Sequence, residues 1–385
     1  MLNFELYNPT KIIFGTDQIE KLRNEIPENN RILMVYGGGS IFKNGIYDKV
    51  KAALHGFDVL EFGGVEANPY YETLIKAVEV IKKEKIDFVL AVGGGSVIDG
   101  VKFIVSAVAY EGDPLDIFYR KHRPIKALPF GTVLTLPATG SEMNSGSVVS
   151  RRETQEKMSF GSDYTFPKFS FCDPTVISSL PKKQIQNGVI DAFSHVLEQY
   201  LTYKHDAILQ DKFSESILKT LIEIGPKVVE NPNDYKLASN FMWSCTMALN
   251  GLIAKGVPTD WVTHMIGHEL TALYGIDHAR TLAIIFPSLY RVMFDSKKEK
   301  LAQLGKEVFK LSGNDEKIAK NAIIELEKFF HTMGMKTKIS ENTDQDISNT
   351  AEFIGNRFQE RGISVMGESK NITLEKVKEI VSLSY

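Results

Sequence analysis

The chain has 385 residues, more than the roughly 250 to 300 at which one hydrophobic core stops growing, so two domains are expected. A net charge of -3 and a pI near 6.3 give no general attraction for phosphate backbones or anionic lipids, which argues against nucleic-acid and membrane-surface binding. No apolar run approaches about 18 residues, and the first residues are neither a signal nor a transit peptide, so a cytoplasmic protein is predicted.

The first 180 residues alternate short β-branched runs with longer amphipathic segments. This alternation is typical of a parallel sheet with crossover helices. Predicted strands are Lys11–Phe14, Arg31–Tyr36, Val59–Phe62, Phe88–Val92, Thr132–Leu136 and Phe169–Cys172, with helices over Tyr71–Lys83 and Val97–Ala109. Ser147–Ser150 and Lys157–Phe160 are predicted to be the two arms of a hairpin.

After Pro181 long helical patterns dominate and strand signals nearly vanish. The sequence therefore predicts an α/β domain over residues 1–180 and an α-helical domain over residues 181–385. Predicted helices in the second half are Ile185–Leu201, Asp206–Ile224, Tyr235–Leu252, Lys297–Leu311, Asp315–Met333, Asp344–Asn356 and Leu374–Leu383.

Two Gly-Gly-Gly-Ser turns, Gly37–Ser40 and Gly93–Ser96, each follow a predicted strand. Glycine lets the backbone approach a ligand closely, and a helix start offers free N–H groups to a phosphate. Ser96 and Asp99 have the spacing of a capping box, which predicts that a helix starts at the second turn. Either turn could equally be a tight strand-to-helix connection, and neither matches G-x-G-x-x-G.

A third turn, Thr135–Asn144, also follows a strand and is rich in small hydroxyl residues and glycine. Three such turns at the same end of one sheet describe the crevice in which open α/β sheets bind cofactors. Their coincidence favours a cofactor site more than any single turn does.

Three of the eight histidines, His264, His268 and His278, lie within fifteen residues of one another. His264 and His268 are four residues apart, so on a helix they share one face, and a Gly-Ile-Asp break precedes His278. Neutral imidazole is a favoured ligand for zinc, iron, copper and nickel. Two buried helical histidines and one loop histidine are the competing interpretation.

Upstream, Asp191 and His195 also lie four residues apart, in a mostly apolar helix pattern. They could form a helical side-chain pair without a metal. A buried carboxylate without a cation is costly, however, so one Asp and three His are a credible ligand set for Zn(II) or Fe(II).

The turn GGGSVIDGVK, the TGSE turn, the Asp191-x-x-x-His195 helix and the three histidines together resemble the iron-containing alcohol dehydrogenase family. The similarity covers nearly the whole chain and is greatest to its NADP-dependent butanol dehydrogenases and broad-range aldehyde reductases. It implies a dehydroquinate synthase-like fold, with a non-standard Rossmann-like NADP-binding domain, a helical metal-binding domain and an active site in the cleft between them. It also implies a homodimer.

Residue by residue, the resemblance implies metal ligands at Asp191, His195, His264 and His278. His268 matches the family histidine that points into the site without being a principal ligand, and it is the candidate proton relay. The implied cofactor-binding residues are Gly37, Gly38, Ser40, Asn68, Gly94, Gly95, Ser96, Asp99, Thr135, Thr139 and Lys157. NAD-using members carry an acidic residue where this chain has Gly37 and Gly38, so room for a 2′-phosphate indicates NADP.

The predicted activity is hydride transfer between NADPH and an aldehyde, with Fe(II) or Zn(II) stabilising charge on the carbonyl oxygen. The residues expected around the metal, Phe193, Val196, Trp261, Met265 and Leu273, are apolar and favour simple aldehydes. A glycerol dehydrogenase or a dehydroquinate synthase-like lyase of the same superfamily is the alternative, and a lyase would need basic residues there.

A metallohydrolase is the alternative from a different class of enzyme. The HMIGHE segment fits neither H-E-x-x-H nor H-x-x-E-H, and hydrolysis leaves the glycine turns unexplained. A non-catalytic metal-binding module leaves the same turns unexplained.

Overall fold

A computed structural model describes the whole chain, residues 1–385. The strands of its main sheet are β1 (Lys11–Phe14), β2 (Arg31–Tyr36), β3 (Asp58–Phe62), β4 (Phe88–Gly93), β5 (Phe130–Leu134) and β8 (Phe169–Cys172). The six strands lie in the order β1-β8-β5-β4-β2-β3, and every neighbouring pair is parallel. The predicted parallel sheet is confirmed.

The remaining strands form two small antiparallel pairs. The first is the predicted hairpin, β6 (Gly146–Arg151) with β7 (Glu156–Gly161), and the second is β9 (Val365–Met366) with β10 (Ile372–Thr373). The hairpin prediction is confirmed. β5 starts and ends two residues before its predicted position, because its register is set by pairing with β4 and β8 rather than by local hydrophobicity.

Helices of the first half connect these strands. They are α1 (Ser40–Lys43), α2 (Ile46–Ala53), α3 (Tyr71–Glu84), α4 (Gly95–Val108) and α5 (Leu115–Phe118). β4 is buried on both faces and α4 along most of its length, as expected at the centre of a sheet covered by helices.

The second half is helical, as predicted. Its helices are α6 (Lys182–Tyr200), α7 (Ile208–Glu230), α8 (Tyr235–Ala248), α9 (Val262–Tyr274), α10 (His278–Val292), α11 (Phe294–Glu307), α12 (Asp315–Thr332), α13 (Thr350–Glu360) and α14 (Leu374–Leu383). α9 ends at Gly275, whose φ of 68° closes the helix with a hydrogen bond of 2.9 Å from its N–H to the Thr271 carbonyl. None of the helices combines the length and hydropathy that a membrane span needs.

The chain divides into two compact units. One comprises residues 7–184 with residues 231–250, and the other comprises residues 1–6, 185–230 and 251–385. α8 belongs to the first unit, where the Thr246 hydroxyl donates a hydrogen bond of 2.6 Å to buried Glu142. In the second unit, α10 packs between α9, α12 and α14, so it is almost entirely buried.

Candidate metal centre and cofactor-binding turns

α6 presents Asp191 and His195 on one buried face of the second unit. Each residue is 4% exposed, and 3.8 Å separate Asp191 Oδ1 from His195 Nε2. That distance is longer than a hydrogen bond and suits two atoms that share a third partner. The i,i+4 spacing in the sequence therefore places a carboxylate and an imidazole side by side, pointing at one position.

His264 and His278 approach the same carboxylate from two other helices. His264 lies in the first turn of α9, and its ring is 5.0 Å from the His195 ring and 5.2 Å from the His278 ring. His278 is the first residue of α10, and its Nε2 lies 3.7 Å from Asp191 Oδ1. The turn that ends α9 at Gly275 brings His278 back beside His264.

The donor set fits a divalent metal. Asp191, His195 and His264 bring one ligand atom each to within 4.8 Å of one another, and His278 adjoins them through Asp191. Metal–ligand bonds of about 2.0 to 2.2 Å in a tetrahedron separate neighbouring ligand atoms by about 3.3 to 3.6 Å, close to the spacing found. Burial lowers the pKa of His195 to about 4, which keeps its imidazole neutral, the form that ligates metals.

His268 lies one turn beyond His264 on α9 and is half-buried. Its ring is 5.0 Å from the His278 ring and 6.4 Å from the His264 ring. The structure thus places it beside the ligand cluster but outside the three residues whose ligand atoms converge. In this position an imidazole can exchange a proton with a small molecule held at the cluster.

Glu198 is a site residue that the sequence analysis missed. It is 1% exposed, and its Oε1 lies 3.0 Å from His264 Nδ1. A carboxylate that accepts a hydrogen bond from Nδ1–H keeps the proton on Nδ1. Nε2 is then unprotonated, and its lone pair faces the cluster. The signal was available, because Glu198 follows Asp191 and His195 by seven and three residues and so shares their helical face.

The apolar surroundings expected for the metal are only partly as predicted. Trp261 packs its ring edge-on 5.2 Å from the His264 ring. Phe193 instead faces α12, with ring centroids 4.8 Å from Phe329 and 6.2 Å from Phe330. The expectation for Phe193 is wrong because a residue two positions after Asp191 points to nearly the opposite side of a helix.

In the first unit, two glycine turns end neighbouring strands at the point where the strand order reverses. The chain passes from β2 outward to β3 on one side, then returns to β4 and continues to β5 and β8 on the other side. The turn Gly37–Ser40 follows β2, and the turn Gly93–Ser96 follows β4. Open α/β sheets bind their ligands at such a point, so the location suits a dinucleotide.

α4 starts at Gly95, in the second glycine turn, but without the predicted capping box. The helix has no side-chain cap at Gly94; the Ser96 hydroxyl accepts a hydrogen bond of 3.3 Å from the Asn68 N–H. The Asp99 carboxylate accepts bonds from the Ser141 hydroxyl at 2.5 Å and the Val148 N–H at 3.0 Å. The capping-box prediction is wrong because these nearby donors occupy both side chains.

Gly95 and Thr139, two predicted cofactor residues, touch each other. A Cβ at Gly95 would lie 2.4 Å from Thr139 Oγ1 and 2.6 Å from its Cγ2, so only glycine fits there. Thr135 is buried, and its N–H donates a bond of 3.0 Å to the Gly93 carbonyl. The turn after β5 is therefore packed directly against the turn after β4.

The other predicted cofactor residues surround these turns. A Cβ at Gly38 would meet no neighbouring side chain or backbone within 4 Å, so the space beside this residue is open, and Ser40 begins α1. Asn68 adopts a left-handed φ of 56° beside Ser96. Lys157 lies on β7 opposite Ser150. Burial raises the pKa of Asp99, and the charges of Lys102 and Lys157 oppose that rise.

Lys102 is a second residue that the sequence analysis missed. It is fully buried on α4, and its Nζ donates to Ser141 Oγ at 2.7 Å, Asn144 Oδ1 at 2.9 Å and the Gly146 carbonyl at 2.8 Å. Burial lowers the pKa of Lys102 to about 8 and raises the pKa of Glu142. Lys102 thereby fastens the turn after β5 to α4.

Comparisons with known proteins identify the family to which the chain belongs. Residues 9–174 match the family model described as iron-containing alcohol dehydrogenase, and residues 185–384 match its companion for the C-terminal part of Fe-containing alcohol dehydrogenases. The chain belongs to the iron-containing alcohol dehydrogenase family.

Relatives in this family match the chain from end to end. The chain is 47% identical to the NADPH-dependent aldehyde reductase YqhD of Escherichia coli K12 over 384 residues, 99% of each protein. It is 42% identical over 391 residues to the probable NADH-dependent butanol dehydrogenase 1 of Bacillus subtilis, covering 100% of both. The crystal structure of E. coli YqhD superposes with a TM-score of 0.97 at 46% identity, covering 100% of this chain and 99% of that one.

Proposed function

We propose that this protein interconverts small aldehydes and primary alcohols by transferring a hydride between NADPH and the carbonyl carbon at a metal centre. The observation that carries the proposal is the convergence of Asp191, His195 and His264, with His278 beside Asp191, in one buried cluster. Membership of the iron-containing alcohol dehydrogenase family and similarity to named aldehyde reductases and butanol dehydrogenases support it.

Asp191, His195, His264 and His278 are the proposed metal ligands. When bound there, the metal supplies a Lewis acid that stabilises negative charge developing on the carbonyl oxygen. The four side chains are three imidazoles and one carboxylate, a set that both Fe(II) and Zn(II) accept. The family description favours iron.

The turns of the first unit are the proposed cofactor site. NADPH supplies the hydride, and the protein supplies position and charge. Gly94, Gly95 and Ser96 present the N-terminus of α4 to a pyrophosphate, while Asn68, Thr135, Thr139 and Lys157 line the groove. The open space at Gly38, with the Ser40 hydroxyl nearby, suits a 2′-phosphate. Asp99 accepts hydrogen bonds from Ser141 and Val148 and so positions the segments beside the groove.

His268 is the proposed proton relay. Its half-buried position lets the imidazole reach both a small molecule at the ligand cluster and solvent. The residue would hold the proton that completes the alcohol in reduction and accept it in oxidation.

We test this function with the full chain stripped of metal by a chelator and then reconstituted separately with Fe(II) and Zn(II). Reduction of butanal should require a metal, and the KM for NADPH should be lower than the KM for NADH. His264→Ala and His278→Ala should lose both bound metal and activity. Full butanal reduction by a metal-free variant would overturn the proposal, as would inactivity of the loaded protein on every short aldehyde of a substrate panel.

Two further properties are expected, the first from the family resemblance and the second from the sequence. We propose a homodimer, which sedimentation of the purified chain tests, and a cytoplasmic location, which cell fractionation tests. Glycerol oxidation in the same substrate panel distinguishes the alternative glycerol dehydrogenase activity, and conversion of a phosphorylated substrate without NADPH distinguishes a lyase.

A further inference from the structure

Glu198 is bonded to the start of α9 as well as to the His264 ring. Its Oε2 accepts a hydrogen bond of 3.1 Å from the Trp261 N–H, and its Oε1 accepts one of 3.0 Å from the His264 N–H. Trp261 has a left-handed φ of 70° and directly precedes α9. A carboxylate at a helix N-terminus stabilises the first turn, so Glu198 fixes both the helix start and the orientation of the ring.

Lys297, on α11, contacts the residue that leads into the same helix start. Its side chain is 2% exposed, and its Nζ lies 2.6 Å from Asp260 Oδ2 and 2.8 Å from each carboxylate oxygen of Glu368. It also donates a bond of 3.0 Å to the Leu201 carbonyl, just after α6. One ammonium on α11 therefore ties together the end of α6, the residue that leads into α9, and Glu368.

Asp260 joins the two sets of contacts. Its N–H donates a bond of 2.9 Å to the Glu198 carbonyl, and its Oδ1 accepts a bond of 3.2 Å from the Val262 N–H. Its second carboxylate oxygen binds Lys297. The segment from Asp260 to His264 is thus held at both ends, by Glu198 on α6 and by Lys297 on α11.

We propose that Lys297 is a positioning residue for the metal ligand His264, acting through Asp260 and Glu198. It sets where α9 starts relative to α6, and so where Nε2 of His264 points relative to Asp191 and His195. This inference rests on the metal centre of the proposed function. Partners that orient metal-ligating histidines typically change metal affinity by about 10- to 100-fold when they are removed.

Lys300, one turn along α11, provides a matched control. Its side chain is 1% exposed, and its Nζ is ion-paired with Asp211 at 2.8 Å and lies 3.9 Å above the Tyr200 ring. Lys297→Met and Lys300→Met each remove one buried ammonium from the same helix. Both should destabilise the fold, but only Lys297→Met disturbs the start of α9.

Metal affinity is the decisive measurement, because loss of the Lys297 charge and loss of its positioning role predict opposite changes in affinity. Removing a positive charge near a cation site strengthens cation binding through Coulomb's law alone. Loss of a residue that positions His264 predicts weaker cation binding instead. Affinity for Co(II), measured on the stripped full chain by competition with a chromophoric chelator, should fall about 10- to 100-fold in Lys297→Met. The visible absorption bands of bound Co(II) should shift as well.

Lys300→Met should bind Co(II) like the wild type and keep its absorption bands, with a similar loss of thermal stability. Equal affinities in the two lysine variants, or tighter binding in Lys297→Met, would overturn the inference. If Lys297→Met does not fold, Asp260→Asn serves instead, because it keeps the side-chain size while weakening the ion pair. Asp260→Asn should weaken Co(II) binding and shift its absorption bands; because the loss of a negative charge also weakens cation binding, unchanged bands would overturn the inference.

His264→Ala separates failure of this inference from failure of the proposed function. If the wild type binds Co(II) and His264→Ala does not, the metal centre stands whatever the lysine variants show. If the wild type itself binds no metal, the proposed function fails, and this inference fails with it.

Discussion

The side-chain amide of Asn187 donates a hydrogen bond of 3.0 Å to Oδ2 of Asp277. Asn187 lies one turn before Asp191 on α6, and Asp277 directly precedes His278 on α10. The bond therefore links the helix of one proposed ligand to the start of the helix of another. Asn187→Ala should lower metal affinity about 10-fold, as loss of an outer partner of a metal site does.

Gln303→Ala is the control for that variant. Gln303 donates bonds of 3.0 Å to Asp211 and 2.9 Å to Glu215 in the same unit, and neither acceptor is a proposed metal ligand. Competition for Co(II) with a chelator compares the two proteins. An unchanged affinity in Asn187→Ala would show that packing alone holds α10 in place.

Gly38→Asp should shift cofactor use from NADPH toward NADH. The position has room for a side chain, so the fold should tolerate the change. The new carboxylate would repel a 2′-phosphate, and a cost of about 1.4 kcal/mol or more changes affinity at least about tenfold. The ratio of kcat/KM for the two cofactors measures this. Gly38→Asn, without the charge, is the control, and an unchanged ratio would contradict our location of the 2′-phosphate.

Gly95→Ala should destabilise the first unit and raise the KM for NADPH. The added methyl would meet Thr139 Oγ1 at 2.4 Å, and overpacking of this kind costs about 1 to 3 kcal/mol. Urea denaturation and NADPH titration measure the two effects. Thr139→Ala in the Gly95→Ala background should restore part of the lost stability, since the Thr139 Cβ remains 3.0 Å from the added methyl; if it restores none, the contact between these residues is not the cause.

His268→Ala should retain its metal and lose about 100-fold or more in kcat, the usual contribution of a general acid. Added imidazole should restore part of the rate, since it can occupy the space of the missing ring. His331→Ala is the control, because His331 lies on α12, where its Nε2 is 3.1 Å from the Thr337 hydroxyl. Loss of metal from His268→Ala would instead make His268 a ligand.

Lys102 should make the free energy of unfolding rise with pH in the alkaline range. Its pKa is about 8 in the folded protein, against 10.5 ordinarily. Between those values the unfolded chain binds more protons than the folded protein. The free energy of unfolding therefore rises with pH, because the folded protein no longer buries a charged amine. The gain is on the order of 3 kcal/mol, at about 1.36 kcal/mol per pKa unit.

Urea denaturation of the wild type and Lys102→Met at pH 7.5, 9 and 10.5 measures this dependence. Asp99 and Glu142, whose pKa values are raised by burial, act in the opposite direction and are present in both proteins. The wild type should gain stability relative to Lys102→Met between pH 8 and 10.5. Parallel curves for the two proteins would show that the buried amine does not titrate there.

The sequence by itself determined the local structure and the side chains capable of metal chemistry. Period-two and period-3.6 patterns are local, so the strands and most helices were predicted within a few residues. Spacing of four residues places Asp191 with His195, and His264 with His268, whatever surrounds the helices. The glycine runs Gly37–Gly39 and Gly93–Gly95, at the ends of two strands, mark turns in which the backbone can approach a ligand closely.

Only the tertiary structure decided which of these groups meet. Whether His278 faces Asp191 depends on how α10 packs against α6, and no local pattern specifies that distance. Asp99 has the spacing of a capping residue, yet it binds Ser141 and Val148 because their donors lie closer. Likewise Glu198 and Lys297 become partners of the His264 segment only because buried polar groups must find a partner, and folding determines which partner is near.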